Sequence, residues 1–217
     1  MNNNKKKENY HDYVIKDGEF IGDFEKMYQS CTDPWHQDSK VFHFKDLSIA
    51  ILQLHGFNEF SSILDIGCGK GKFTNKIKQL FPGAKVSGLD ISDTAIKTAM
   101  ARYQQIEFIT ADIRVDHIDY SKFDLIFMTE IMWYVLPNLQ DIFREINHGL
   151  QVSKGIFILN NHLYQPGEQK YGSEYINDLK SLLNILPFRV EYVMEHNRFV
   201  NYDVTLLCKF GKCSKGK

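Results

Sequence analysis

Apolar positions along this chain follow two rhythms that alternate. Helix-spaced apolar residues come first, over 20–28 and again over 39–54, where Val41, Phe44, Ile51 and Leu54 mark one face. Short β-rich runs then interleave with helical stretches. The pattern predicts strands over 62–66, 85–90, 106–110, 123–128, 155–160, 188–195 and 201–210. Between them it predicts helices over 72–81, 93–103, 138–150 and 173–186, with Ser92 placed to cap the second and Pro82-Gly83 turning the chain after the first. Helices that intervene between apolar strands imply βαβ units and a mostly parallel sheet covered on both faces. The last two strands are separated only by 196–200, so they are expected to pair antiparallel at one edge.

Punctuation between the first strand and its helix is the most informative local feature. Residues 64–72 read LDIGCGKGK, with Asp65 at the strand end and glycines at Gly67, Gly69 and Gly71. Glycine there permits positive φ and lets a ligand lie against the main chain. The spacing also excludes chemistry. A dinucleotide fingerprint would need its third glycine at position 72, which is Lys, and no Gly-Lys-Ser/Thr follows as a phosphate-cradling loop requires. In an open α/β sheet, ligands sit at the carboxyl ends of the strands. Those ends present Asp65 with the glycine loop, Asp90 and Ile91, Asp112 and Ile113, Thr129-Glu130, and Asn160-Asn161-His162. An Asp after a strand is commonly only a cap, but three in consecutive units beside a glycine loop form a set.

Composition narrows the class. The 217 residues suit one domain, here taken as 18–210 with a helical lid over 18–58 and a core over 59–210, between flexible tails 1–17 and 211–217. A net charge of −1 from 26 basic and 27 acidic residues gives no electrostatic footprint for nucleic acid. No apolar run is long enough for a membrane span, and the Lys/Asn-rich start does not resemble a signal peptide, so a cytoplasmic location is expected. Cys31, Cys68, Cys208 and Cys213 show no metal spacing and are read as reduced thiols, with no metal site.

Taken together, ILDIGCGKGKFT (63–74), SGLDIS (87–92), TADI (110–113) and FDLIFMTE (123–130) resemble the motif series of class I S-adenosylmethionine-dependent methyltransferases. The resemblance covers roughly 61–210 and implies a Rossmann-like, seven-stranded, mostly parallel sheet with a C-terminal antiparallel hairpin. It also implies that Asp65, Gly67, Cys68 and Gly69 meet the methionine part of the cofactor. Asp90 would hold the ribose, Asp112 and Ile113 the adenine, and Ile91 would pack on that ring. Within that class, FEKMY (24–28), DPWH (33–36) and the stretch from FILNNHLY (157–164) onward are similar to nodulation-type, NodS-like small-molecule methyltransferases. That narrower likeness implies a small acceptor such as a sugar, a glycan precursor or a nucleotide-linked intermediate, handled by a monomer or homodimer.

Methyl transfer from a sulfonium is an in-line displacement, largely a matter of positioning and water exclusion. A hydroxyl acceptor also needs a base, for which His162 and Glu130 are the candidates, with His36 a third. Glu130 is equally suited to ordering the cofactor. Trp35, Trp133 and Tyr134 could face the sulfonium or the acceptor, with Trp133 alternatively a core residue. Lys70 and Lys72 read as solvated lysines at a helix start. Two other readings stay open. One is methylation of RNA or protein, against which stand the neutral charge and TEIM (129–132) in place of an Asn/Asp-Pro-Pro-aromatic motif. The other is an inactive cofactor-binding partner subunit.

Overall fold

The computed structural model describes residues 12–35, 44–164, 168–169, 171–197 and 201–211. A seven-stranded sheet runs through its centre. In chain order its strands are β3 (Ser62–Ile66), β4 (Lys85–Asp90), β5 (Glu107–Thr110), β6 (Leu125–Thr129), β7 (Ile156–Tyr164), β8 (Arg189–Asn197) and β9 (Asn201–Lys209), following a two-stranded hairpin of β1 (Ile15–Lys16) and β2 (Glu19–Phe20). The spatial order is β5-β4-β3-β6-β7-β9-β8. The first five sheet strands are parallel, and β9 enters antiparallel between β7 and β8. The expected Rossmann-like architecture with its antiparallel pair is therefore what the chain forms, with β8 outermost.

Helices cover both faces because each carries an apolar stripe. On one face α5 (Leu139–Ser153) buries Leu139, Ile142, Phe143, Ile146 and Leu150, and α6 (Leu179–Ile185) adds Leu182. On the other, α2 (Leu47–Leu54), α3 (Lys72–Leu80) and α4 (Asp93–Arg102) bury Ile49, Ile51, Leu52, Phe73, Ile77, Ile96 and Ala99 against Ile63, Phe127 and Ile158. Helix α1 (Phe24–Ser30) lies apart, with Met27 and Tyr28 packed on Tyr13, Val14 and Ala95. Ser92 caps α4 as expected, accepting from the Ala95 N–H at 3.1 Å.

Several expectations shift. The segment up to residue 17 is no loose tail from residue 12 on: Tyr13 and Val14 are buried and β1 pairs with β2. Gly22 at φ +69 and the Asp23 cap delay the first helix to Phe24. The second starts with a 3-10 turn at Phe44–Asp46, and α2 is a core helix under the sheet rather than part of a lid. His36 and the start of that segment lie outside the described residues. The helix expected over 173–186 shortens to α6, because Asp178 and Ser181 form a capping box. Strand β7 runs four residues past its expected end. Its pairing with β9 continues to Tyr164, so His162 sits within a strand, opposite Asp203, and not in a loop. No described helix is long and apolar enough to cross a membrane.

Candidate functional site

Sequence order reverses at the junction of β3 and β6, where the chain has gone outward through β4 and β5 and returned. Ligands in open α/β sheets bind at such a point. A cleft with room for about 310 Å³ opens there, walled by Gly67, Asp90, Ile91, Asp112, Ile113, Thr129, Glu130, Ile131 and His162, and roofed by Phe24, Tyr28, Trp35 and Tyr134.

The glycine turn leaves β3 with the Gly67 and Cys68 N–H groups donating to the Leu89 carbonyl at 2.7 and 2.9 Å. Gly67 adopts φ +75, and a Cβ there would meet Ile131 Cγ2 at 2.4 Å. Only glycine lets the two strand ends approach this closely. Beyond it the Gly69 N–H donates to Asp90 Oδ2 at 2.8 Å, while Asp90 Oδ1 accepts from the Ser92 N–H at 3.0 Å. Asp90 is thus locked in place at the cleft floor with lone pairs remaining on both oxygens. Burial pushes its carboxyl up, against the pull of these N–H donors and the Lys45 charge.

Asp65, Cys68 and Gly69 do not line the cleft; they lie behind its wall. Asp65 accepts from Thr74 Oγ1 at 2.6 Å through one oxygen, and its other oxygen is buried without a partner among the described residues. Burial raises its carboxyl to about 6, opposed by Thr74 and by Lys45. The Cys68 thiol is pushed up as well, by burial and then by the charges of Asp90 and Asp65, which makes it inert as a nucleophile.

Asp112 lines the cleft but is already clasped by Arg114, whose Nε and Nη2 donate to its two oxygens at 2.7–3.1 Å. That fork holds the Asp112 carboxyl below its usual range. Glu130 stands at φ +59, a strained position for a non-glycine residue, and its N–H donates to the Asn160 carbonyl at 2.8 Å. The strained residue follows the last residue of β6 and lines the cleft. His162 is half-buried, with Tyr164 edge-on at 5.3 Å, and its carbonyl accepts from Trp133 Nε1 at 2.9 Å. Trp133 is itself buried in the core, as the plainer expectation had it.

The roof is aromatic and tied down. Trp35 Nε1 donates to the Tyr28 hydroxyl at 3.0 Å, and Tyr134 lies 5.2 Å from Phe24 and 6.0 Å from Trp35. Lys70 is no solvated lysine. It donates to the Thr32 carbonyl and sits 5.6 Å from the Tyr28 ring, joining roof to glycine loop. Three functional groups escaped sequence reasoning. They are the Glu25 carboxylate, which pins α1 to Ser92 and Thr94, the Arg114 fork, and Lys45, a lysine only 7% exposed in the cleft wall. Glu25 and Lys45 are brought into position by the fold, whereas the Arg114 fork is a local pairing with Asp112 two residues away.

Residues 63–152 match the methyltransferase domain family. Over that stretch the chain is similar to methyltransferase domains. A malonyl-[acyl-carrier protein] O-methyltransferase 1 of Ilyobacter polytropus is 27% identical over 153 residues, 69% of this chain and 52% of that protein. A trans-aconitate 2-methyltransferase of Rhizobium rhizogenes is 35% identical over 105 residues, covering 48% of this chain and 40% of the relative. The chain thus spans about half, or less, of the length of these curated relatives. The crystal structure of magnesium protoporphyrin IX methyltransferase from Synechocystis PCC 6803 with bound SAM has the same fold. Its TM-score is 0.60 at 19% identity, over 87% of this chain and 95% of that one.

The residues at this cleft fit the shape and chemistry of S-adenosylmethionine. Asp90 has acceptor capacity for two ribose hydroxyls, and Ile91 and Ile113 supply apolar walls for a flat base. The buried, unpartnered Asp65 oxygen is a polar atom behind the glycine turn, where a cationic amino group would satisfy it directly or through water.

Proposed function

We propose that this protein transfers the methyl group of S-adenosylmethionine to a hydroxyl or amine of a small acceptor, of the sugar or nucleotide-linked kind, with His162 taking the acceptor's proton. One observation carries the reading. The cleft that holds Asp90, Asp112 and the glycine turn also contains His162 and Glu130, under a roof of Trp35, Tyr134 and Phe24. The donor supplies an electrophilic methyl group on a sulfonium. The chain's own groups supply the rest. Asp90 and the Gly67 turn position the nucleoside and amino-acid parts, the aromatic roof excludes water, and His162 accepts a proton near neutral pH. Glu130 places negative charge at the acceptor end, which favours a neutral or cationic acceptor over an acid. Aromatic faces suit sugar rings and cations alike.

Methylation of a carboxylic acid is the second reading, favoured by the trans-aconitate and malonyl relatives. A carboxylate needs no base to become nucleophilic, so the two readings part at His162. The test is release of S-adenosylhomocysteine on a panel of sugars, aminosugars, nucleotide sugars and small carboxylic acids. Turnover on a hydroxyl or amine acceptor is expected. Turnover confined to acids would transfer the assignment to the second reading.

A further inference from the structure

We infer that Asp203 is the positioning residue for His162, holding its imidazole at the cleft and stabilising the positive charge it takes up with the acceptor's proton. The inference rests on the reading of His162 as the base and adds the group behind it. His162 lines the cleft, whereas Asp203 does not and is only 1% exposed. The two face each other in the antiparallel register of β7 and β9. Directly opposed residues project to the same face, with Cβ atoms about 4.5–5.5 Å apart. The preceding pair on that face, Asn160 and Thr205, shows that side chains meet across these strands: Asn160 Nδ2 donates to Thr205 Oγ1 at 2.8 Å. His162 and Asp203 stand two residues further along, so they repeat that relation one pleat on.

A carboxylate so deeply buried is costly unless a hydrogen-bond donor or a cation faces it. Across β9 from His162, the residue opposed to Asp203 is His196 on β8, which is exposed. Asp203 thus stands between two imidazoles, one at the cleft and one on the outermost strand. An imidazole that gives one N–H to a carboxylate keeps its other nitrogen as an acceptor, the tautomer a base needs. As the acceptor's oxygen or nitrogen bonds to the methyl carbon, the C–S electron pair stays on sulfur and the acceptor's proton passes to His162. The Asp203 carboxylate then faces an imidazolium, which favours the transfer. His162 afterwards gives the proton to water. The other ionisable groups around the pair are Glu130, Lys45 and Tyr134 in the cleft lining, Tyr164 on β7 and His196 on β8.

The competing role is structural, with Asp203 tying β8 to β9 through His196. NMR titration of the histidine rings in the full chain separates the two, the His162 signal being assigned by its loss in His162→Gln. In Asp203→Asn the His162 midpoint should fall by about one pH unit, because the amide no longer stabilises the imidazolium. Asp203→Glu should recover about half of that fall or more, and His196→Gln should leave the midpoint within about 0.3 units. A fall under about 0.5 units in Asp203→Asn, or an equal fall in His196→Gln, overturns the inference. If Asp203→Asn does not fold, the wild-type chain decides: a His162 midpoint below the ordinary value of about 6.5 overturns it. On an acceptor that the wild type methylates, Asp203→Asn should lower kcat about tenfold or more with the KM for S-adenosylmethionine unchanged. Undiminished kcat overturns the positioning role. Full turnover by His162→Gln would instead refute the base reading, whatever the titration of Asp203→Asn shows.

Discussion

Glu25 is the strongest test of how the roof is held. Its Oε2 accepts from Ser92 Oγ at 2.6 Å and from the Thr94 N–H at 3.1 Å, and its Oε1 from Thr94 Oγ1 at 2.5 Å and Gln29 Nε2 at 2.8 Å. The carboxylate therefore joins α1 to the positive N-terminal end of α4, where an anion is favoured. Burial would raise this carboxyl, but the hydrogen bonds outweigh it and bring it from 4.5 down to about 2. Glu25→Gln keeps the shape, discards the charge and turns an amide N–H₂ toward hydroxyl and N–H donors. Hydrogen bonds to charged groups are worth about 1.5–3 kcal/mol each when buried. Glu25 is half-exposed and solvent screens it, so the loss is set at about 2 kcal/mol in all. For a chain of this size that lowers Tm by about 4–8 °C.

The pH dependence is the sharper readout. A depressed carboxyl contributes stability that is complete above the unfolded value of 4.5 and is lost as pH falls towards the folded value of about 2. Urea unfolding of the wild type and of Glu25→Gln should differ by a constant amount from pH 5.5 to 8. The difference should shrink by about 1.4 kcal/mol per pH unit below 4.5. A gap under about 0.5 kcal/mol at pH 7, or one that persists undiminished at pH 3.5, would refute the latch.

Other outcomes follow from the site. Asp65 keeps its proton to about 6 when folded and to 3.8 when unfolded, so wild-type stability should fall as pH rises between those values, by at most about 3 kcal/mol. Asp65→Asn should flatten that slope, and an unchanged slope in urea titrations would count against the assignment. Asp90→Ala should weaken S-adenosylhomocysteine binding about 100-fold or more, because it removes ribose acceptors and frees the Gly69 N–H; calorimetry showing near-normal affinity would reject the ribose role. His162→Gln should lower kcat about 10²- to 10⁴-fold with donor affinity unchanged, and a loss under threefold would remove His162 as the base.

The sheet was legible because its signals are local. Short continuous apolar runs, the Ser92 cap and the glycine spacing all act within a few residues, and each predicted strand is present. What escaped depends on partners far away in sequence. Glu25 meets Thr94 across 69 positions, and β7 reaches Tyr164 because β9 supplies its partners. The hairpin of β1 and β2 is too short to show a period, and its turn at Asp17-Gly18 relies on two positive φ angles. Lys45 is a charged residue within the mostly apolar run VFHFKDLSIA (41–50), where nothing local says which way its side chain turns. The donor half of the site was therefore readable as a motif, whereas the roof and the buried lysine were not.

Strand β9 has a consequence for how the molecule is made. It is the last strand in sequence, yet it lies inside the sheet, contributing Val204, Leu206, Leu207 and Cys208 to the two buried layers and aligning Asp203 with His162. Until residues 201–209 insert, β7 has an open edge and the acceptor side of the cleft has no finished wall. On a ribosome the donor half can form well before the acceptor half exists. A stop codon just before β9 would therefore leave an exposed apolar edge, a template for aggregation and a target for quality-control proteases, rather than a shortened enzyme.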